Sequence, residues 1–245
     1  VWAKGRFRGE QMLYHSERIY GIDISKYQHV HKRRVYGIDW RNLRITRLGH
    51  TADRNALGAV DYPVSFVYIK STEGLTVFNP YYTRDVRAAR RYGFPVGAYH
   101  FFSTRPAMRQ ADYFLKKSHL QKGDLPPMLD VELSDRRIAV MGGRDVLFRE
   151  MLVWLKEVGR RSDTTPIIYV SQDFVNRYMP FAPEELKAYP VWVARYGEYK
   201  PYVHLLYWQL SPDGRVRGIQ GDVDIDVFNG SEEQFKRYLR TQTVK

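Results

Sequence analysis

The sequence contains no cysteine. That excludes disulfide frameworks and zinc sites built on thiolates. It leaves the compartment open, because exported bacterial proteins commonly manage without disulfides. No apolar run approaches the ~18 residues of a membrane-spanning helix, so no integral membrane segment is expected. The opening VWAKGRFRGEQMLYHSERIY lacks the apolar centre of a signal peptide. Residues 1–17 read as a polar lead-in after a removed export or anchor segment, and 18–245 as a single domain. Internal repeats and low-complexity linkers are absent. Negative charge is in deficit, with 27 Asp and Glu against 39 Lys and Arg, for a net charge of +12. A nucleic-acid binder would gather such charge on one face or stripe. The densest basic run, HVHKRRVYGIDWRNLRITRLGH (29–50), is broken by GIDW and carries no helix-turn-helix or RNA-binding signature. A diffusely cationic surface is the better reading, suited to an anionic polymer, and no nucleic-acid partner is expected.

What is present is a globular composition of 245 residues, 44% hydrophobic and 27% charged, enough for one large domain or two small ones. Aromatics reach 15%, with 19 Tyr and 5 Trp. That exceeds the needs of a core, and Tyr and Trp line clefts for sugars, peptides or bases. Eight short apolar runs read as strands: 18–25, 65–71, 95–102, 126–132, 166–171, 190–196, 203–210 and 223–228. Helical patterns fill 79–93, closed by Gly93, 105–119, opened by Ser103 or Thr104, 143–162, and 231–242, opened by Ser231. Strand–helix alternation predicts an α/β fold with parallel strands and crossover helices. The last three strands have little helix between them, so the fold reads as a TIM-like barrel, regular early and mostly β late.

Active sites of such barrels gather at the C-terminal strand ends, and polar residues end these strands. They are Asp23; Lys70 and Glu73; Tyr99 and His100; Asp130 and Glu132; Tyr169; Tyr196; Trp208 and Gln209; then Asp224 and Asp226. In PPMLDVE, Asp130 and Glu132 are two apart and share one face of a strand, about 6–7 Å apart at Cα. Two close carboxylates repel, which raises one pKa. One acid can then give a proton to a leaving group while its ionised neighbour supports positive charge, the division of labour glycoside hydrolysis needs. Two solvated acids at a surface strand end, or a hard-cation site made by Asp23, Asp130, Glu132 and Asp224, are the competing readings. No spacing matches a known metal loop, so neither a metal nor another cofactor is expected. Among the aromatics, Trp154 and Trp192 read as core, while Tyr99, Tyr169 and Trp208 are better candidates to hold a sugar. His100 reads as structural. Lys70 is either an ion-pair partner of the acids or surface.

The blocks YGIDISKYQ (20–28), FVYIKSTEG (66–74), VGAYHFF (96–102), PPMLDVE (126–132), PIIYVS (166–171), VWVARY (191–196), YWQLS (207–211) and GDVDIDVFNG (221–230) resemble, in this order, glycoside hydrolase family 25, the Chalaropsis-type lysozymes. The resemblance runs from about Arg18 to Phe235. It implies an irregular barrel of five βα units followed by three further strands. It implies an N-acetylmuramidase that cuts the β-1,4 bond between N-acetylmuramic acid and N-acetylglucosamine, retaining configuration; the nucleophile is either a protein carboxylate or the substrate's own 2-acetamido group, the second being the favoured route. The family's acid falls on Glu132, its partner on Asp130, and the further carboxylates on Asp23 and Asp224. Tyr99, Tyr169, Trp208, Gln209, Lys70, Glu73, Tyr196 and Asp226 are the candidates for holding substrate. The expected partner is the peptidoglycan glycan strand, met by an exported monomer in the envelope or outside the cell. The alternatives are a wall-binding barrel without turnover and another sugar hydrolase such as a chitinase, whose longer D-x-x-D-x-D-x-E run is missing. Two features depart from the family: Asp226, often Asn, and the longer segment 45–65, expected to form an extra hairpin or loop.

Overall fold

The computed structural model describes residues 18–31, 33–51, 54–56, 58–194 and 203–245, together with the pairing of strands Trp2–Ala3 and Arg6–Phe7. Its centre is a closed eight-stranded barrel. The strands are β1 (Ile19–Ile24), β2 (Val67–Glu73), β3 (Val96–Phe101), β4 (Met128–Asp130), β5 (Ile167–Ser171), β6 (Val191–Ala194), β7 (Leu205–Arg217) and β8 (Val223–Phe228). Neighbours from β1 through β7 pair in parallel. Strand β8 runs antiparallel to both β7 and β1 and closes the ring. Crossovers carry α1 (Tyr82–Arg91), α2 (Ala107–Ser118), α3 (Asp135–Met141), α4 (Arg144–Ser162), α5 (Gln172–Arg177) and α6 (Glu184–Lys187), and α7 (Glu232–Thr241) ends the chain. The link after β1 holds two 3₁₀ turns and short strands instead of an α-helix.

The strands form because alternate residues serve two cores. One set packs outward against the helices, where α4 offers Leu147, Met151, Trp154, Leu155 and Val158 as a buried stripe. The other set fills the barrel with aromatics. Tyr207 lies 4.9 Å, centroid to centroid, from both Phe66 and Trp192, and Tyr68 lies 5.0 Å from Trp192. Phe235 and Tyr238 of α7 plug the end where the strands begin, next to Phe228. Gly21 and Gly97 make room for these rings: a Cβ on either would come within 2.3 Å of Phe66 or Tyr68. Ser231 caps α7 in a reciprocal box with Gln234. Ser103 and Thr104 do not cap α2. Its first turn follows Pro106, and Ser103 bonds to Gln110 instead.

Segment 45–65 contains a hairpin, Gly49–Thr51 with Arg54–Ala56. Strand β7 runs on past residue 210, where SPDG signals a turn. Register shifts at 209/211 and 211/214 absorb that signal, and the distal end pairs with Arg44–Arg47. A ribbon made of the end of β7, Arg44–Arg47 and Tyr62–Pro63 therefore extends the sheet beyond the barrel.

Candidate active site

Alternation along each strand decides which side chains reach the barrel mouth. On β1, Asp23 follows Gly21 on the inner face; on β8, Asp224 is the direct cross-strand partner of Asp23. Because β8 is antiparallel, the mouth receives its beginning, not its end as the sequence pattern suggested. Strand β4 delivers Asp130 inward, and its ladder persists one residue further through the Val131 N–H, which donates to the Tyr169 carbonyl at 2.9 Å. That holds Glu132 at the rim. Tyr99 and Tyr169 enter from the flanking strands β3 and β5.

The carboxyls form a gradient of access. Asp226 is closed from solvent, Asp23 and Asp130 are buried, Asp224 is half-buried and Glu132 is exposed. Burial raises the pKa of Asp23 first of all, opposed by a hydrogen bond from Gln209 and reinforced by Glu132. Burial also raises Asp224, reinforced by Asp23 and Glu132. It raises Asp130 well above the ordinary range, with Glu132 adding to the shift and Lys70 opposing it. Glu132 is raised by the desolvation of its surroundings and eased by Lys70. The cluster therefore holds protons at neutral pH, because so many carboxylates cannot all ionise in one hollow.

Neutral partners orient the acids. The Tyr169 hydroxyl donates to Gln209 Oε1 at 3.2 Å, and Gln209 Nε2 donates to Asp23 Oδ2 at 3.0 Å. Lys70 Nζ donates to Glu73 Oε2 at 2.7 Å and lies 4.4 Å over the Phe101 ring. Lys70 thus pairs with Glu73, while its charge also acts on Asp130 and Glu132. Burial and the surrounding acids raise the phenols of Tyr99 and Tyr169 far above their ordinary value, so both remain hydroxyl donors. Replacing Gln209 by Leu removes the donor that favours ionised Asp23. The Asp23 pKa then rises, and any limb of the kcat/KM–pH profile that follows its ionisation moves to higher pH.

Several expected residues fall elsewhere. Trp208 faces out of the barrel, since its neighbour Gln209 faces in. It lines a hollow with Arg18, Phe228 and residues 230–233 at the opposite end, so it cannot reach a substrate at the mouth. Asp226 faces inward but is fully buried beneath Asp23 and Asp224, so it cannot touch substrate either. Tyr196 lies outside the described residues. His100 turns outward: Thr72 donates to its Nδ1 at 2.7 Å, its Nε2 donates to Gln110 at 3.1 Å, and its ring stacks on Trp154. Burial pushes its pKa down to about 4, as for a neutral structural histidine. Phe101, the platform under Lys70, was missed, although its place two residues after Tyr99 put it on the inner face. Among the described residues no three His, Asp or Glu side chains are arranged to hold a metal ion.

Known proteins share this architecture. Lysozyme M1 of Streptomyces globisporus is 29% identical over 229 residues, covering 87% of this chain and 68% of that protein. The uncharacterized protein YegX of Escherichia coli K12 is 33% identical over 228 residues, covering 91% of this chain and 74% of its own. A family 25 glycosyl hydrolase from Bacillus anthracis superposes with a TM-score of 0.70 at 24% identity, over 96% of this chain and 99% of that one, a likeness of fold. The profile of Glycosyl hydrolases family 25 matches residues 22–219. With that match spanning seven of the eight barrel strands and Asp23, Asp130 and Glu132, the chain belongs to family 25 of the glycosyl hydrolases and is an enzyme, a glycoside hydrolase.

Proposed function

We propose that this hydrolase is a lysozyme, a 1,4-β-N-acetylmuramidase that cuts peptidoglycan between N-acetylmuramic acid and N-acetylglucosamine. The observation that carries the reading is the meeting of Asp23, Asp130, Glu132 and Asp224 at one barrel mouth. Glu132, the most accessible of them and raised in pKa, gives its proton to the glycosidic oxygen as the bond to the anomeric carbon breaks. Asp130, behind it, accepts the N–H of the 2-acetamido group and turns the acetamide oxygen toward that carbon. The oxygen bonds to carbon as the leaving sugar departs, and a water deprotonated by Glu132 then opens the ring so formed. Two inversions give net retention. Asp23 and Asp224 line the facing side, with Tyr99, Tyr169 and Gln209 supplying donors, and Lys70 and Glu73 close the rim. Residues 18–245 act as one catalytic barrel, a monomer exported to the envelope or beyond. No helix among the described residues is long and apolar enough to cross a membrane.

The test is digestion of purified peptidoglycan. Fragments ending in reducing N-acetylmuramic acid, with the fresh product in the β-anomer by NMR, are expected. Reducing N-acetylglucosamine ends, or wall binding without new reducing ends, would overturn the reading.

A further inference from the structure

The densest basic run of the sequence, residues 29–50, has no part in the carboxylate cluster, yet the fold brings it to one side of the mouth. Its first part makes the hairpin Val30–His31 with Arg34–Val35, and its last part, Arg44–Arg47, pairs with the end of β7. The run is tied to the turn 218–222 that leads into Asp224, where His31 lies beside Gly221. Gln28 Nε2 donates to the Asp222 carbonyl at 3.1 Å, and the Asp39 N–H donates to the Gly218 carbonyl at 2.9 Å.

On the ribbon, Arg44 stands opposite Arg217 and Arg47 opposite Arg215, while Ile45 and Val216 turn into the core. Like charges directly opposed across a ladder weaken it, and here two such pairs are close together. Local acids answer only part of this charge: Asp61 takes Arg44 at 2.8 Å, Asp222 takes Arg215 at 2.7 Å, and Asp213 takes His50. Among the described residues Arg33, Arg34 and Arg47 are exposed and have no acidic partner, and the exposed Arg217 shares Asp61 with Arg44.

We propose that this rim docks the carboxylates of the peptide side chains borne by the glycan strand, holding the strand on the β8 side of the mouth. The inference rests on the muramidase reading. A strand being cut must cross the mouth, and its peptides project from the sugars beside it. Guanidinium forks match carboxylates in a bidentate way. Each exposed pair is weak, but a polymer offers several at once. A uniform phosphate backbone would meet Asp61, Asp213 and Asp222 among the arginines, and the carboxyl cluster next door. That favours discrete carboxylates over nucleic acid.

The experiment compares the intact protein with R47S/R217S, and separately R34S, on peptide-bearing glycan and on the same glycan stripped of peptides by an amidase. For the double variant, KM on peptide-bearing strands should rise about fivefold, the size of two exposed ion pairs. Its kinetics on stripped strands should match the parent, and the difference should vanish near 0.5 M salt, where the Debye length is about 4 Å. R34S should move KM in the same direction by less. Unchanged KM on peptide-bearing strands, with the parent active, would overturn the rim while leaving the muramidase reading intact. An equal loss on both substrates would also overturn it. Loss of DNA retention in a gel at physiological salt, with KM unchanged, would assign the arginines to nucleic acid instead. If the parent cuts neither substrate, the muramidase reading fails and the rim inference with it.

Discussion

Glu132→Gln should leave the barrel folded and lower peptidoglycan turnover about a thousandfold, within the range for losing a general acid. The amide keeps the shape of the side chain but has no acidic proton for the leaving oxygen. Among the described residues Glu132 has no ion pair, and it is exposed at the rim, so the neutral amide leaves no buried partner unsatisfied. Release of reducing ends measures the loss, and thermal unfolding checks the fold. Turnover within tenfold of the parent would remove Glu132 from its role. The pH dependence follows from the direction of its shift. The folded pKa is raised, so the protonated, active form persists above the ordinary glutamate range and is lost as pH rises through the raised value. Lys70 opposes that rise. Lys70→Met should therefore move the alkaline limb to higher pH while weakening the seat of Glu73.

Much of this was legible in the sequence because the barrel is built by period-two alternation. In GIDI, the glycine at 21 and the acid at 23 share a face, and so do Tyr99 and Phe101, and Asp130 and Glu132. The polar strand ends pointed to the four carboxyls as one group, and alternation says which of their neighbours share the inner face. The same rule applied to YWQL sends Trp208 and Gln209 to opposite sides, so both could not line one cleft; Gln209 was the inward one. What alternation cannot supply is depth. Asp224 and Asp226 share a face, yet one borders the mouth and the other lies beneath it, because β8 enters the barrel from the mouth and runs downward. Direction depends on how β7 ends, and SPDG hides that end by mimicking a turn inside a strand that bulges and continues. The short helices α3, α5 and α6 were missed for a different reason: runs of four to seven residues are too brief to display helical periodicity.

Asp226→Asn should make the protein more stable, and by more the higher the pH. Asp226 is fully buried among aromatics, and neither carboxyl oxygen has a hydrogen-bond partner. Around it lie Asp23 on β1, Asp224 on its own strand and the indole N–H of Trp192 on β6. Burial, then the charges of Asp23 and Asp224, push its pKa well above the ordinary 3.8. The nearby Trp192 and Asp23 N–H groups oppose this, but neither closes a hydrogen bond by strict geometry. The folded state therefore keeps a proton that the unfolded chain releases near pH 4. This contribution is whole below the unfolded pKa. It falls by about 1.4 kcal/mol per pH unit as pH rises toward the folded value. Asparagine has nearly the same shape and cannot ionise, so that slope disappears. Urea unfolding at about pH 4, 7 and 9 should show curves that nearly coincide in acid and separate progressively above it. Parallel pH dependences would mean that Asp226 is ionised in the fold. Activity gives an independent reading. A neutral Asp226 exerts no net charge on Asp23, so its replacement should leave the pH–rate profile in place and kcat within a few-fold. A displaced profile would show instead that a buried anion had been tuning the cluster above it.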